Sequence, residues 1–142
     1  RDRSVSRGLG DVYKRQVIDD TYNACEDSVK SAIDTLMATE GRRHVAILGD
    51  IIGLADRSQA SHSSVGRYAA DKGVDIIVAV GQEGRYYAEG AAETADESRV
   101  MYFPEKEDFI RVKDQVIQEG DVILVKASRG MEMEKIVKEI LG

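Results

Sequence analysis

The sequence predicts an α/β domain: an open, mainly parallel sheet with helices on both faces. Three observations carry that expectation. The runs HVAIL (44–48), DIIVAV (75–80) and DVILVK (121–126) are continuously apolar and rich in β-branched residues, as strands buried on both faces require. Segments with helical spacing separate them. Each apolar run also gives way to Gly or polar residues, where a parallel strand hands over to a loop.

In chain order, 17–19 supplies the stump of a first strand. A helix follows over 28–38, with Val29, Ile33, Leu36 and Met37 on one face and Gly41 as its stop. The strand at 44–48 leads through a polar loop to a helix over 61–72, closed by Gly73. After the strand at 75–80 comes a helix over 84–94, then a short strand at 99–103. Pro104 stands at the handover to a helix over 105–118, which places Phe109, Val112 and Val116 together and ends by Gly120. The strand at 121–126 precedes a last helix marked by Met133, Ile136, Val137, Ile140 and Leu141.

With 142 residues the chain is about one domain, and 42% hydrophobic against 32% charged residues is ordinary for a globular protein. Its formal net charge of −6 understates how acidic the body is. The first sixteen residues, RDRSVSRGLGDVYKRQ, hold five Lys/Arg and two Asp, leaving 15 basic and 24 acidic residues, a charge of −9. Such a body lacks the clustered cations that nucleic-acid binding needs. Cys25 is the single cysteine, so an internal disulfide is excluded and a cytoplasmic location is expected. No apolar run approaches the ~20 residues of a spanning helix, so no membrane insertion is expected.

The basic leader has no sustained period and is interrupted by Gly8 and Gly10. Its stretch SRGLGDVYKRQ back-translates, with one codon choice, to a transposon-type sequencing-library adapter. Residues 1–16 are therefore expected to be a non-native leader, with 17–142 as the domain proper and its natural upstream segment missing.

In an open parallel sheet, ligands bind outside the carboxyl ends of the strands. Those ends carry Asp19, Asp20, Thr21, Tyr22 and Asn23, then Gly49 and Asp50, then Gly81 and Gln82, then Lys126, Ala127, Ser128, Arg129 and Gly130. Lys and Arg there can hold phosphate or carboxylate, and Asp can hold ribose hydroxyls. The plainer reading is that they are turns and helix caps, a reading that fits the basic Lys126 and Arg129 least. Other signals are weak. The stretch GQEGR (81–85) is no phosphate-binding loop, since G-x-x-x-x-G-K-[ST] does not occur in the chain. His44 reads as structural, and His62 has no second ligand at metal spacing, so no metal site is expected. Cys25 reads as an inert thiol, and Tyr86-Tyr87 as half surface, half core.

Three strand ends carry recognisable wording. DDTYNACEDSVKSAIDTL, AILGDIIGL…SHSSVG and ILVKASRGMEMEKIV resemble the C-terminal domain of the MurF-type Mur ligases, whose motifs run approximately D-[ST]-Y-N-A-N-P-x-S-M, LGDM-L-E-L-G…H and VKGSRGMKMEK. The resemblance covers essentially all of 17–142, and the last motif is the most specific. It implies an ATP-dependent ligase that activates the terminal carboxylate of UDP-MurNAc-tripeptide as an acyl phosphate, which the amine of D-Ala-D-Ala attacks. It further implies that the phosphate-binding loop, the Mg2+ ligands and the UDP-sugar pocket lie in N-terminal and central domains. The closing domain contributes contacts, no catalytic residue of its own, and is expected to be inactive alone. By position, Asp20, Tyr22 and Asn23 would bind the nucleotide. Asp50, Lys126, Ser128 and Arg129 would bind substrate, with Gly49 flanking the cleft and His62 matching the family's histidine. Cys25 and Glu26 depart from the family's Asn-Pro, Gly53 from its Glu and Ala127 from its Gly.

Two alternatives stay open at this point. A phosphorylation-receiver domain also has an acidic pair and a late lysine, but Gly81 occupies its phosphoacceptor position. A stand-alone nucleotide-binding module would keep the motifs without catalysis.

Overall fold

The structure, a computed structural model, describes residues 4–7, 16–21 and 24–142. Six strands, β1 (Ser4–Arg7), β2 (Gln16–Asp20), β3 (Arg43–Gly49), β4 (Ile76–Val80), β5 (Val100–Phe103) and β6 (Asp121–Lys126), form one sheet in the order β1-β2-β6-β3-β4-β5. β1 pairs antiparallel with β2; the other five strands are parallel. Among the described residues, five α-helices connect or follow them: α1 (Glu26–Ala38), α2 (Ser58–Asp71), α3 (Gly84–Ala92), α4 (Lys106–Val116) and α5 (Glu134–Leu141).

Alternation along the strands explains the two helical layers. Ala46 and Leu48 of β3 face α1, α2 and α3, whereas Val45 and Ile47 face α4 and α5. The same split recurs in β6, where Val122 and Leu124 face one layer and Ile123 and Val125 the other. All eight side chains are fully buried, each contributing about 1.5–3 kcal/mol for the larger residues. The connections β2-α1-β3, β3-α2-β4 and β4-α3-β5 advance in one direction on one face. The return β5-α4-β6 reverses direction and so uses the other face, as right-handed crossovers demand.

This order excludes the receiver alternative. Counted along the chain, the five parallel strands lie 1-5-2-3-4, whereas the receiver order is 2-1-3-4-5. At the amino ends of β3 and β6, Arg43 grips the 1%-exposed Asp121 through both carboxylate oxygens at 2.9 and 2.8 Å and also donates to Val116 O. The Gln118 amide completes that carboxylate's coordination at 2.8 Å.

Element boundaries differ from the sequence reading for local reasons. α1 starts two residues earlier because Cys25 and Ser28 satisfy its first turn: the Cys25 amide donates to Ser28 Oγ, and that hydroxyl donates back to Cys25 O. Gly41 is not the stop; the helix ends at Ala38, capped by Thr39. Gly41 is required because a Cβ there would lie 2.2 Å from Val122 Cγ2. α4 ends at Val116, short of Gly120, because Ile117 turns extended and buries its side chain. The chain then turns back through Gly120, whose φ is +87°. Ser4–Arg7, set aside in the sequence reading, adds an edge strand through backbone pairing.

Candidate functional site at the carboxyl ends of the strands

β6 lies at a switch point on both sides. The chain leaves β2 and β3 toward one helical layer and leaves β6 toward the other, so the loops diverge and open a crevice at the carboxyl edge. The sequence-derived residues gather on this edge, in two groups.

The first group spans β2 and β6. Register pairs Asp20 with Lys126, and the Lys126 ammonium lies 3.0 Å from Asp20 Oδ2, with side chains 2% and 10% exposed. A pair so thoroughly withdrawn from water requires both partners, since either charge alone would be uncompensated. Thr21 beside it donates to Asp19 Oδ1 at 3.0 Å. Tyr22 and Asn23, expected at this end, lie outside the described residues. Beyond them, a cleft of about 260 Å³ is lined by Cys25, Glu26, Asp27, Leu54, Arg57 and Ser61. Cys25 is exposed, and hydrogen bonds from Ser28 hold its thiol below the ordinary value, so it is less inert than the sequence suggests.

The second group is built on the loop after β3. Gly49 leaves the strand where a Cβ would approach Ala127 Cβ to 2.8 Å, so this glycine makes room for Ala127. Asp50 turns sideways toward β4: its Oδ1 accepts from the Glu83 amide at 3.0 Å, just ahead of α3, and its carboxylate lies against Gly81, which has φ +107° and no room for a side chain. Burial pushes the Asp50 carboxyl above its ordinary value, opposed by nearby His62 and by that amide. Ser128 joins the β6 loop to the same segment, donating its amide to Asp50 O at 3.1 Å and accepting the Ile52 amide on Oγ at 2.8 Å.

His62, on α2, is fully buried beneath this loop. Its Nε2 accepts the Ile51 amide at 3.0 Å, which fixes the proton on Nδ1, and Nδ1 donates to Ser58 O at 2.7 Å. Ser58 Oγ donates to Glu83 Oε1 at 2.5 Å. Tyr87, buried, stacks edge-on to His62 at 4.8 Å and donates its hydroxyl to Gly49 O at 2.8 Å. Despite the Ser, His and Glu, this is no hydrolytic triad, because the imidazole acceptor nitrogen is already occupied by a backbone amide. Arg129 is exposed at the start of a single 3-10 turn, Arg129–Met131.

The residues singled out from sequence, Asp20, Lys126, Asp50, Ser128, His62, Gly49 and Arg129, lie on one edge, with the hydrogen bonds described here dividing most of them into two groups and Arg129 exposed beside them. The sequence reading missed Ser58 and Glu83. The i, i+4 spacing of Ser58 and His62 was the available signal; Glu83 had none, since its partner lies across the sheet edge. Among the described residues, no three His, Cys, Asp or Glu side chains converge as a metal site, and no helix is long and apolar enough to cross a membrane.

Comparison with known proteins places these features in a family. The model for "Mur ligase, glutamate ligase domain" matches residues 9–129. The UDP-N-acetylmuramoyl-tripeptide--D-alanyl-D-alanine ligase of Bacillus subtilis is 35% identical over 126 residues, 88% of this chain and 28% of the relative. The Escherichia coli enzyme of the same name is 33% identical over 87% of this chain and 26% of its own length. A crystal structure of MurF from Acinetobacter baumannii superposes with a TM-score of 0.80 at 29% identity, covering 94% of this chain and 29% of that one. The MurF ligase of Thermotoga maritima in complex with ADP shares the fold, with a TM-score of 0.76 at 21% identity, over 96% of this chain and 29% of that one. The chain thus spans less than a third of the relatives it matches. Its sheet order, its strand-end residues and the match over 9–129 agree: the chain belongs to the Mur ligase, glutamate ligase domain family.

Proposed function

We propose that this chain is the closing, C-terminal domain of a cytoplasmic ligase that joins D-Ala-D-Ala to UDP-MurNAc-tripeptide in peptidoglycan precursor synthesis. The reaction transfers the γ-phosphoryl group of ATP to the tripeptide's terminal carboxylate and releases ADP. The dipeptide amine then attacks the acyl phosphate, and inorganic phosphate leaves as the amide forms. The domain supplies positioning and water exclusion, not a nucleophile. The observation that carries this reading is the convergence of the three family motifs on one switch-point edge.

Within that reading, Asp20, Tyr22 and Asn23 contact the nucleotide. The first turn of α1 is acidic, with Glu26 and Asp27, which suits hydroxyl donors and repels phosphate. The ribose is therefore assigned to this end, its hydroxyls donating to carboxylate. Lys126, buried against Asp20, acts from beneath by fixing that carboxylate. Asp50 and Ser128 shape the rim where the dipeptide enters, and exposed Arg129 offers its carboxylate a two-pronged partner. Mg2+ would neutralise the phosphates; no ligand for it is assigned to this chain. Residues 1–16 are read as a translated adapter and 17–142 as the domain.

The test is phosphate release by the full-length protein that carries this domain, with ATP and Mg2+. We expect release to require both UDP-MurNAc-tripeptide and D-Ala-D-Ala. Release unaffected by omitting the dipeptide would sink the reading.

A further inference from the structure

The polar groups of the short loop after β3 are held from three sides. Gly49 O accepts from Tyr87 of α3, and Asp50 O accepts from the Ser128 amide. The Ile51 amide donates to His62 of α2, the Ile52 amide to Ser128 Oγ, and the Asp50 carboxylate takes the Glu83 amide. Loops are ordinarily the pliable part of such an edge. This one is anchored by α2, α3 and the β6 loop together, yet it presents Ile52 59% exposed. An isoleucine held rigidly in water, with Gly130 of the β6 loop close enough that a Cβ there would meet Ile52 Cδ1 at 3.0 Å, marks a surface shaped in advance.

We infer that His62 is a positioning residue: through its unprotonated Nε2 it sets the Ile51 amide, and with Ser128 it preforms the Asp50–Ile52 loop as the wall against which the incoming dipeptide is seated. The inference rests on the proposed ligase reading for the identity of what is seated, but not for the anchoring itself. The imidazole need not touch substrate. Its work is to present an acceptor, rather than a second donor, beneath a backbone amide that has no solvent to turn to.

The two ring nitrogens can be separated by substitution. In His62→Gln, Oε1 reaches close to where Nε2 stood and accepts the Ile51 amide. In His62→Asn, the side chain reaches only the Nδ1 position, keeping the bond to Ser58 O and losing the one to Ile51. In the full-length protein, His62→Asn is expected to raise the KM for D-Ala-D-Ala about tenfold over His62→Gln, the value of one lost buried hydrogen bond, with KM for ATP changed less than twofold. The Ile51 amide should exchange with solvent at least tenfold faster in the Asn variant than in the Gln variant. Ser128→Ala, which removes only the Oγ acceptor, should shift the same KM in the same direction, and it serves if His62→Asn fails to fold. Equal dipeptide KM values and equal Ile51 exchange in the Gln and Asn variants would overturn the inference. A uniform loss across all substrates would do the same, marking His62 as merely structural. If the unsubstituted protein ligates no dipeptide, the ligase reading fails, while the Ile51 exchange comparison still decides the anchoring.

Discussion

At the scale of the residue, Asp50 is the most informative side chain on the edge. Sequence alone suggested a ligand contact, whereas its carboxylate caps the approach to α3 and lies against Gly81. Both demands pull on its proton. Burial favours the neutral form, whereas His62 and then the Glu83 amide favour the charged one, with burial the larger influence. A carboxyl held above its unfolded value stabilises the fold fully below that value, about pH 3.9, and loses the contribution as pH rises through the folded value. Asp50→Asn keeps the acceptor for the Glu83 amide but cannot titrate. Urea unfolding should therefore show the stability of Asp50→Asn, relative to the unsubstituted chain, rising between pH 3.5 and pH 7. A difference that instead falls over that interval would mean the carboxylate is the favoured form and the α3 amides dominate.

At the scale of the element, the edge is only as well ordered as α2 against α3, because these helices carry Ser58, His62 and Tyr87, and Glu83 stands at the start of α3. Their crossing is closer than side chains normally permit. A Cβ on Gly90 would come within 2.0 Å of Ser63 O, and one on Gly66 within 2.0 Å of Tyr87 O. An alanine in a helix interior is ordinarily worth about 1 kcal/mol over glycine. Here a backbone shift must follow, typically costing 1–3 kcal/mol and more for a clash with main chain. Gly90→Ala should therefore lower unfolding free energy by about 2 kcal/mol, read as a reduced denaturant midpoint at unchanged slope. The Gly66→Ala/Gly90→Ala double variant should lose less than the sum, since one displacement opens the gap for the other. Full additivity would show that the helices do not move as bodies. The helices themselves were legible in the sequence, because amphipathic spacing needs only local order. The two glycines were not, because what they meet lies on another helix, as with Gly41 against Val122. The partner of Lys126 was hidden for the same reason. Asp20 comes 106 positions earlier and is adjacent only once β6 inserts between β2 and β3. That insertion is invisible in five strands that all read as apolar runs, since burial on both faces erases any mark of which neighbour a strand pairs with.

At the scale of the whole molecule, the strongest charges are divided between two ends of the sheet with different duties. At the amino ends, Arg43 and Asp121 interlock with main-chain groups and tie β3 to β6 through a bidentate pair. At the carboxyl ends, Asp20 and Lys126 are both withdrawn from water, and Arg129 is exposed at the rim. A rim of this composition can seat a ribose or a carboxylate, but the chain has no G-x-x-x-x-G-K-[ST] stretch to cradle a γ-phosphate, and the strand-end Lys126 is paired with a carboxylate. Residues 1–142 by themselves should therefore release no phosphate from ATP above a protein-free blank, even with Mg2+, UDP-MurNAc-tripeptide and D-Ala-D-Ala present. The measurement is a coupled phosphate assay run beside the full-length protein at equal molar concentration, with a cooperative urea transition confirming that the short chain is folded. Turnover by the folded short chain would place phosphate activation on this edge after all, and Lys126 would then have to leave Asp20 to supply it.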